Sequence, residues 1–136
     1  MIHSMGKARY RWQPIDHDGL LLCIKWFLNT HDMQNWTVDL DTLINMPKEL
    51  KPGSDEDYVA LCNIERDDHF ALIWVPLDRL RESDHNPIEA CMHELHHCHA
   101  SRCGITEDDE MLVRDLSPNT YVQYCRTKRI KQAEKK

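Results

Sequence analysis

Apolar and polar positions follow two different periods along this chain, and each period predicts its own kind of element. Residues 16–30 start with a possible cap at Asp16 or Asp18 and are then apolar nearly all round, which predicts a buried scaffold helix. Residues 35–40 alternate and are rich in aromatic and β-branched types, which is typical of a short strand. Residues 58–65 and 70–75, separated by a polar turn, predict a β-hairpin.

A second helix is predicted from Asn86 to Gly104. Asn86 is a favourable N-cap, and Pro87 suits the first helical position because no N–H is needed there. Gly104 is a typical residue just past a helix end. The apolar positions of this helix form one stripe, made by Cys91, Leu95 and Cys98. We expect that stripe to face the core and to leave the opposite face for chemistry.

The remaining segments complete a small α+β domain. Residues 77–84 are polar and are expected to form a connection. Thr106 can cap an acidic helix that Ser117-Pro118 should end, and a last helix should run from Asn119 into the C-terminal tail. We therefore predict a single domain over residues 1–136, with a short antiparallel sheet packed on the scaffold helix and residues 1–17 as an N-terminal arm.

The composition is that of an ordinary water-soluble protein. The chain has 136 residues, of which 29% are charged and 41% apolar, so one domain with a modest core is expected. No apolar run reaches the length of a membrane span, and residues 1–11 do not resemble a secretion signal. We expect a cytoplasmic protein with no membrane partner, whose six cysteines are reduced thiols.

Charge is distributed unevenly along the chain. The formal net charge is −6, yet residues 126–136 hold six Lys and Arg residues against one Glu. Such a basic tail can contact nucleic acid. It also suits a solvated helix end, where positive charge complements the helix dipole, and this second interpretation is favoured.

The sequence His93-Glu94-Leu95-His96-His97 has the form H-E-x-x-H. On a helix, His93 and His97 lie one above the other, so both imidazoles can bind one metal ion, for which Zn²⁺ is the natural choice. Glu94 lies about 100° further round the helix and can act as general base towards a metal-activated water. We expect its carboxylate to face solvent. The motif therefore predicts a hydrolytic zinc site.

A catalytic zinc ion usually has three protein ligands, so a third must come from elsewhere. The acidic cluster shortly after Gly104 supplies the candidates, in the order Glu110, Asp109 and Glu107. Acids in a first helical turn also favour the helix dipole without any metal. An alternative site would use Cys98 and Cys103 with neighbouring histidines as a structural zinc knot.

The chemistry also needs a donor for the oxyanion and groups that orient the imidazoles. Candidates for the donor are Tyr121 and Tyr124, with Arg114 and His96 as further possibilities. Asp115 or Glu89 could orient the metal-binding rings.

The motif and the acidic helix start at 106–114 resemble those of small zincin metallopeptidases carried by phages and prophages. That resemblance spans about Asn86 to Leu116 and implies a compact gluzincin-like domain in the host cytoplasm. It implies zinc held by His93, His97 and a glutamate of the next helix. The acidic helix after Gly104 departs from that of the better-known gluzincins. Four residues after Glu110, where the E-x-x-x-D pattern has an aspartate, this chain has Arg114.

Three functions follow from these features. The first is a zinc-dependent metallopeptidase that hydrolyses peptide bonds of a protein or peptide substrate. The second is a non-catalytic, zincin-like phage accessory protein that binds a host protein. The third is a zinc-stabilised nucleic-acid-binding protein that uses the basic tail at 126–136.

Overall fold

Four helices and one three-stranded sheet are formed by residues 16–48, 50, 60–105 and 109–134, which are the residues that the computed structural model describes. The helices are α1 (His17–Thr30), α2 (Leu77–Glu82), α3 (Pro87–Arg102) and α4 (Glu110–Glu134). The strands are β1 (Thr37–Asp41), β2 (Leu61–Glu65) and β3 (Phe70–Trp74). The predicted α+β class is confirmed. Residues 1–15 of the predicted N-terminal arm lie outside the described ranges.

The sheet has the strand order β1-β3-β2. The predicted hairpin is confirmed: β2 runs antiparallel to β3, and His69 closes the turn in the left-handed region with φ of 50°. The sheet is mixed, because β1 runs parallel to β3, and the predicted antiparallel hairpin accounts for two of its three strands. Strand pairing depends on where the connection after β1 carries the chain, and the pattern of residues 35–40 holds no information about that path.

Helix α1 forms where it was predicted, with Asp16 as its cap. The Asp16 side chain accepts a hydrogen bond of 2.8 Å from the backbone N–H of Gly19. Its buried residues lie on one face and are Leu20, Cys23, Ile24 and Phe27. Leu21 and Leu22 are exposed, so the expectation of a helix buried on most sides was wrong. A small domain has too few other elements to cover every side of a helix.

Residues 77–84 are not the polar connection that was expected, since most of them form α2. Pro76 precedes this helix with φ of −74°, a value that suits a helix start. Leu80 is completely buried and anchors the turn, while the guanidinium of Arg79 lies 5.3 Å from the centre of the Trp74 ring. The buried leucine and the cation–π contact hold this short segment against the domain.

The predicted break at Ser117-Pro118 does not occur, because α4 is one helix of 25 residues with Pro118 inside it. Proline removes one backbone hydrogen bond and costs about 3 kcal/mol in a helix interior. Packing on both sides outweighs that cost here: Val113 before the proline is fully buried, and Thr120 and Tyr124 after it are almost so. The start of the basic tail is therefore the end of α4, where the Lys128 ammonium lies 5.7 Å from the Tyr124 ring centre.

Helix α3 occupies the centre of the domain and packs against α1, α4 and the sheet. The predicted apolar stripe is confirmed, since Cys91, Leu95 and Cys98 are all fully buried. The opposite face of α3 is thereby left towards β2 and the start of α4. Among the described residues, no helix combines the length and apolarity that a bilayer crossing requires.

Candidate metal centre

The ends of α3 are built as the sequence predicted. The side-chain oxygen of Asn86 accepts hydrogen bonds from the backbone N–H groups of Ile88 and Glu89, at 2.9 and 3.4 Å. After Arg102 the chain leaves the helix, and Gly104 adopts φ of 91°, which few residues other than glycine tolerate. Between these ends, His93 and His97 lie one turn apart with ring centres separated by 5.0 Å.

Glu110, the first residue of α4, closes this pair into a three-residue cluster. One carboxylate oxygen, Oε1, lies 3.1 Å from His97 Nε2, and the other, Oε2, lies 3.1 Å from His93 Nε2. One ligand atom from each of the three residues lies within 4.8 Å of the others, so the group could hold a metal ion. Two imidazoles and a carboxylate are a ligand set used by catalytic metal sites. Glu110 was the first-ranked candidate for the third ligand.

Asp109 takes a different position from the one expected of a metal ligand. Both of its carboxylate oxygens lie 2.9 Å from His97 Nδ1, on the far side of the ring from Glu110. The Nδ1–H of His97 therefore donates to Asp109, and this leaves the lone pair of Nε2 for a metal. Asp109, rather than Asp115 or Glu89, is the acid that orients this ring.

Charge in the cluster is balanced by Arg114. Its Nε–H donates to Oε2 of Glu110 at 2.9 Å, across the i, i+4 spacing of one helical turn. Burial by itself would raise the pKa of Glu110, but Arg114, His93 and His97 together lower it below its ordinary value. For His97, burial alone would lower the pKa, and the hydrogen bond to Asp109 and the nearby carboxylates raise it overall. The cluster thus favours an ionised Glu110.

Glu94 lies beside the cluster but does not face open solvent, contrary to expectation, since it is only 7% exposed. Burial raises the pKa of Glu94, and the charges of His93 and His97 oppose that rise. Cys62 of β2 hydrogen-bonds to both Glu94 and Cys98, and its thiol pKa is raised well above the ordinary value, chiefly by the bond to Cys98 and by burial. A buried carboxylate whose pKa is raised is a stronger base than an exposed one.

Two cavities flank the cluster. The first has a volume of about 590 Å³ and lies along the N-terminal half of α3. Its walls come from β2, α3 and α4 and include Ala60, Leu61, His85, Asn86, Glu89, Ala90, His93, Glu94, His97, Glu110 and Arg114. The second has about 410 Å³ and is lined by Leu61, Cys62, Ile64, Glu94, His97, Ser101, Ile105 and Asp109. Leu61, Glu94 and His97 belong to both, so both cavities open onto the same site.

The tyrosines proposed as oxyanion donors lie elsewhere. Tyr124 is 5% exposed and packs edge-on against Trp26 in the core. Its pKa is raised to about 12, chiefly because its hydroxyl is buried. The Tyr121 hydroxyl accepts a hydrogen bond of 2.8 Å from the side chain of Asn86. Neither tyrosine is part of the walls of the two cavities. Of the four candidates for this role, Arg114 alone lines a cavity at the site.

His96, the fourth candidate, points to the other side of α3. Its Nε2 lies 2.6 Å from the hydroxyl of Thr120, and its ring lies edge-on to Phe27 and to His31. Its Nδ1 is buried without a hydrogen-bond partner. Burial and the neighbouring histidines lower the pKa of His96 to about 4, so the ring is neutral near pH 7.

The alternative Cys98–Cys103 zinc knot gains no support from the positions of these residues. Cys98 lies in the core, whereas Cys103 is exposed at the end of α3, where its sulfur is 3.7 Å from His99 Nε2. Within the described ranges, the potential metal-binding group is the one formed by His93, His97 and Glu110. Glu107, the third-ranked ligand candidate, lies in 106–108, outside the described residues.

Sequence reasoning missed several residues around the site. His85 lines the larger cavity, and Cys62 contacts Glu94, yet neither belongs to a motif. The role of Asp109 had a signal in its position next to Glu110, because two adjacent acids can reach opposite sides of one imidazole. The adjacency of the two acids did not by itself indicate which of them orients His97 and which binds the metal.

Comparisons with known proteins leave the family undetermined. No protein-family model matches the chain, and neither the curated proteins nor the solved structures include a significant match. The resemblance to zincins thus depends on the H-E-x-x-H motif and on the acidic residues that follow it.

Proposed function

We propose that this protein is a zinc-dependent metallopeptidase whose metal is held by His93, His97 and Glu110. The observation that carries the proposal is the convergence of these three side chains, from two helices, on one point. Two nitrogen ligands and one carboxylate suit Zn²⁺, and the orienting contact of Asp109 with His97 is typical of metal-binding histidines. When bound, zinc would act as a Lewis acid on a peptide carbonyl and would lower the pKa of a coordinated water to about 7.

Glu94 is the general base in this proposal. It borders both cavities next to His97, and so adjoins the position where a scissile bond would lie. Its carboxylate accepts the proton of the attacking water and then passes that proton to the leaving amine. The Cys62 thiol lies beside Glu94 and lines the smaller cavity with it. Arg114, on the wall of the larger cavity, is the candidate to stabilise the oxyanion.

Strand β2 offers a place for an extended substrate. Among the described residues it pairs with β3 alone, which leaves its other edge without a partner strand. Leu61, Cys62 and Ile64 of β2 contribute to the walls beside the metal ligands. A peptide added along this edge by backbone hydrogen bonds would border the cavities that Leu61, Glu94 and His97 line.

The first test is the zinc content of protein purified without a histidine tag, measured by elemental mass spectrometry. We expect one zinc per chain, lost in His93→Ala and in Glu110→Ala. Glu94→Gln is the matched control, because it removes the base but no ligand, and it should keep its zinc. A wild-type protein that binds no zinc after incubation with the metal would refute the proposal.

The second test is proteolysis itself. Zinc-loaded protein is incubated with a broad mixture of peptides, and cleavage products are identified by mass spectrometry. We expect cleavage by the wild type and a loss of at least about a thousandfold in Glu94→Gln, since that variant lacks its proton acceptor. Zinc binding without any cleavage would favour the non-catalytic accessory protein.

A further inference from the structure

The two cavities form a single groove that follows one face of α3. The N-cap Asn86 and the α3 residues Glu89, Ala90, His93, Glu94 and His97 line the larger cavity, and Glu94, His97 and Ser101 of α3 line the smaller one. Their spacings of three and four residues place them on one stripe of the helix. The groove therefore runs from the N-terminal to the C-terminal part of α3, and the metal ligands lie in its middle.

The end of the groove near the start of α3 carries an acid without a counter-charge. Glu89 lies one helical turn before His93, which is a rise of about 6 Å along the axis. No cation among the described residues forms an ion pair with it. Glu89 is exposed at the mouth of the cavity, and partial burial of its carboxylate raises its pKa above the ordinary value. A cation placed in this cavity would supply the missing charge.

The other end of the groove is apolar. Ile64 of β2 and Ile105, just after α3, line the smaller cavity together with Leu61. Ile105 is 41% exposed, so its side chain is accessible to a group that enters the cavity. The acid at this end, Asp109, is already engaged by His97. Apart from Glu94, which lies beside the metal ligands, this half of the groove offers no further unengaged acid, and it can gain energy by burying an apolar group.

We infer that the groove selects polypeptide substrates with a lysine or arginine near Glu89 on one side of the scissile bond and a bulky aliphatic residue against Ile64 and Ile105 on the other. This inference rests on the proposed function. An acidic side chain at the Glu89 end would face the carboxylates of Glu89 and Glu110. The one arginine on this wall, Arg114, already donates to Glu110, so an acidic side chain is disfavoured here.

The test uses zinc-loaded protein and a cleaved peptide taken from the mixture described above. In three versions of that peptide, the residue that the inference places near Glu89 is Lys, Gln or Glu, and kcat/KM is measured for each. We expect the Lys peptide to exceed the Glu peptide by about tenfold or more. In Glu89→Gln that ratio should fall to about threefold or less, and in Glu89→Lys it should reverse. The matched control is Glu82→Gln, an exposed acid of α2 outside the groove, which should leave the ratio unchanged.

The apolar end has its own variant, Ile105→Ser. Ile105 is exposed and not part of the packed core, whereas Ile64 packs against that core, so the change at 105 tests the groove without a large loss of stability. We expect a lower kcat/KM for peptides with leucine at the apolar position and little change for those with alanine. Circular dichroism and zinc content verify that each variant is folded and loaded.

The outcomes separate this inference from the function on which it rests. If the zinc-loaded wild type cleaves no peptide, the proposed function is refuted. If it cleaves peptides but the Lys-to-Glu ratio is near one, or does not respond to Glu89→Gln and Glu89→Lys, the selectivity inference is overturned while the peptidase stands. An unchanged leucine preference in Ile105→Ser overturns the apolar half alone.

Discussion

His97 Nδ1 lies 2.9 Å from both carboxylate oxygens of Asp109. The next residue, Glu110, reaches the opposite nitrogen of the same ring at 3.1 Å. Two consecutive acids thus hold one imidazole from both sides, and the start of α4 is fixed against α3 through this contact. The arrangement assigns distinct roles to the two acids: Asp109 sets the tautomer and the orientation of the ring, and Glu110 is available to the metal.

This relationship predicts how zinc affinity responds to Asp109. Asp109→Ala removes the acceptor of the Nδ1–H bond, so His97 can rotate or adopt the other tautomer. We expect zinc affinity to fall by about 10- to 100-fold, the usual effect of losing such an orienting carboxylate. Asp109→Asn keeps one acceptor oxygen and should lose less. The dissociation constant is measured by competition with a chromophoric chelator.

Asp115→Asn provides the comparison for that experiment. Asp115 is an exposed acid of α4, and its substitution removes the same charge without affecting a contact to His97. If Asp115→Asn weakened zinc binding as much as Asp109→Ala, the effect would be one of general charge, and the orienting role of Asp109 would be refuted.

Zinc should also stabilise the fold, because its proposed ligands come from α3 and from α4. A ligand that binds the native state at a concentration 100 times its dissociation constant adds about 2.7 kcal/mol to the free energy of unfolding. We expect zinc to raise the melting temperature of the wild type and of Glu94→Gln by several degrees. Glu110→Gln should lose most of that increase. Differential scanning fluorimetry with and without zinc measures it, and an equal zinc response in Glu110→Gln would argue against Glu110 as a ligand.

The parts of the fold that local chemistry determines were predicted from the sequence. The start of α3 follows from Asn86 and Pro87, and its two faces follow from the spacing of Cys91, Leu95 and His93. These signals lie within a few residues of one another, and the helix geometry converts them directly into positions in space. The same holds for the hairpin, where the turn and both strands are contiguous.

What the sequence did not reveal depends on tertiary contacts. The parallel pairing of β1 with β3 joins residues far apart in the chain, and the continuity of α4 through Pro118 depends on packing at Val113 and Tyr124. The division of roles between Asp109 and Glu110 is also a matter of geometry, since both are acids in the same short stretch. Propensity and periodicity contain no information about such contacts.

Pro118 is a position where the fold can be stabilised. It is exposed and lies inside α4, where its ring leaves the carbonyl of Arg114 without the usual helical donor. Pro118→Ala should restore that hydrogen bond and raise the free energy of unfolding by roughly 1 to 3 kcal/mol, as measured by urea denaturation. A loss of stability would mean that the proline contributes packing that outweighs its missing donor. Zinc content should not change, because the substitution lies two turns from Glu110.

The last prediction concerns His31, which follows α1 and packs against the core side of α3. His31 stacks on Phe27 with ring centres 3.8 Å apart, and its Nδ1–H donates to the Phe27 carbonyl at 2.9 Å. His99 of α3 lies edge-on to it, with ring centres 4.9 Å apart. Burial lowers the pKa of His31 below its ordinary value of 6.5, although the bond to Phe27 opposes this. Because the unfolded chain then binds a proton more readily than the folded one, the contribution of His31 is fully present above pH 6.5 and is lost as the pH falls below it.

We therefore expect the free energy of unfolding to decrease from pH 7 to pH 5, and the decrease should be smaller in His31→Asn, which keeps a donor near Phe27 but cannot be charged. The pKa of His31 itself is measured by NMR titration of the zinc-saturated protein, so that changes in metal occupancy do not interfere. Two results would contradict the prediction: a pKa of His31 at or above 6.5, or the same pH dependence of unfolding in His31→Asn. Either result would mean that the packed imidazole accepts a proton at no cost to the fold.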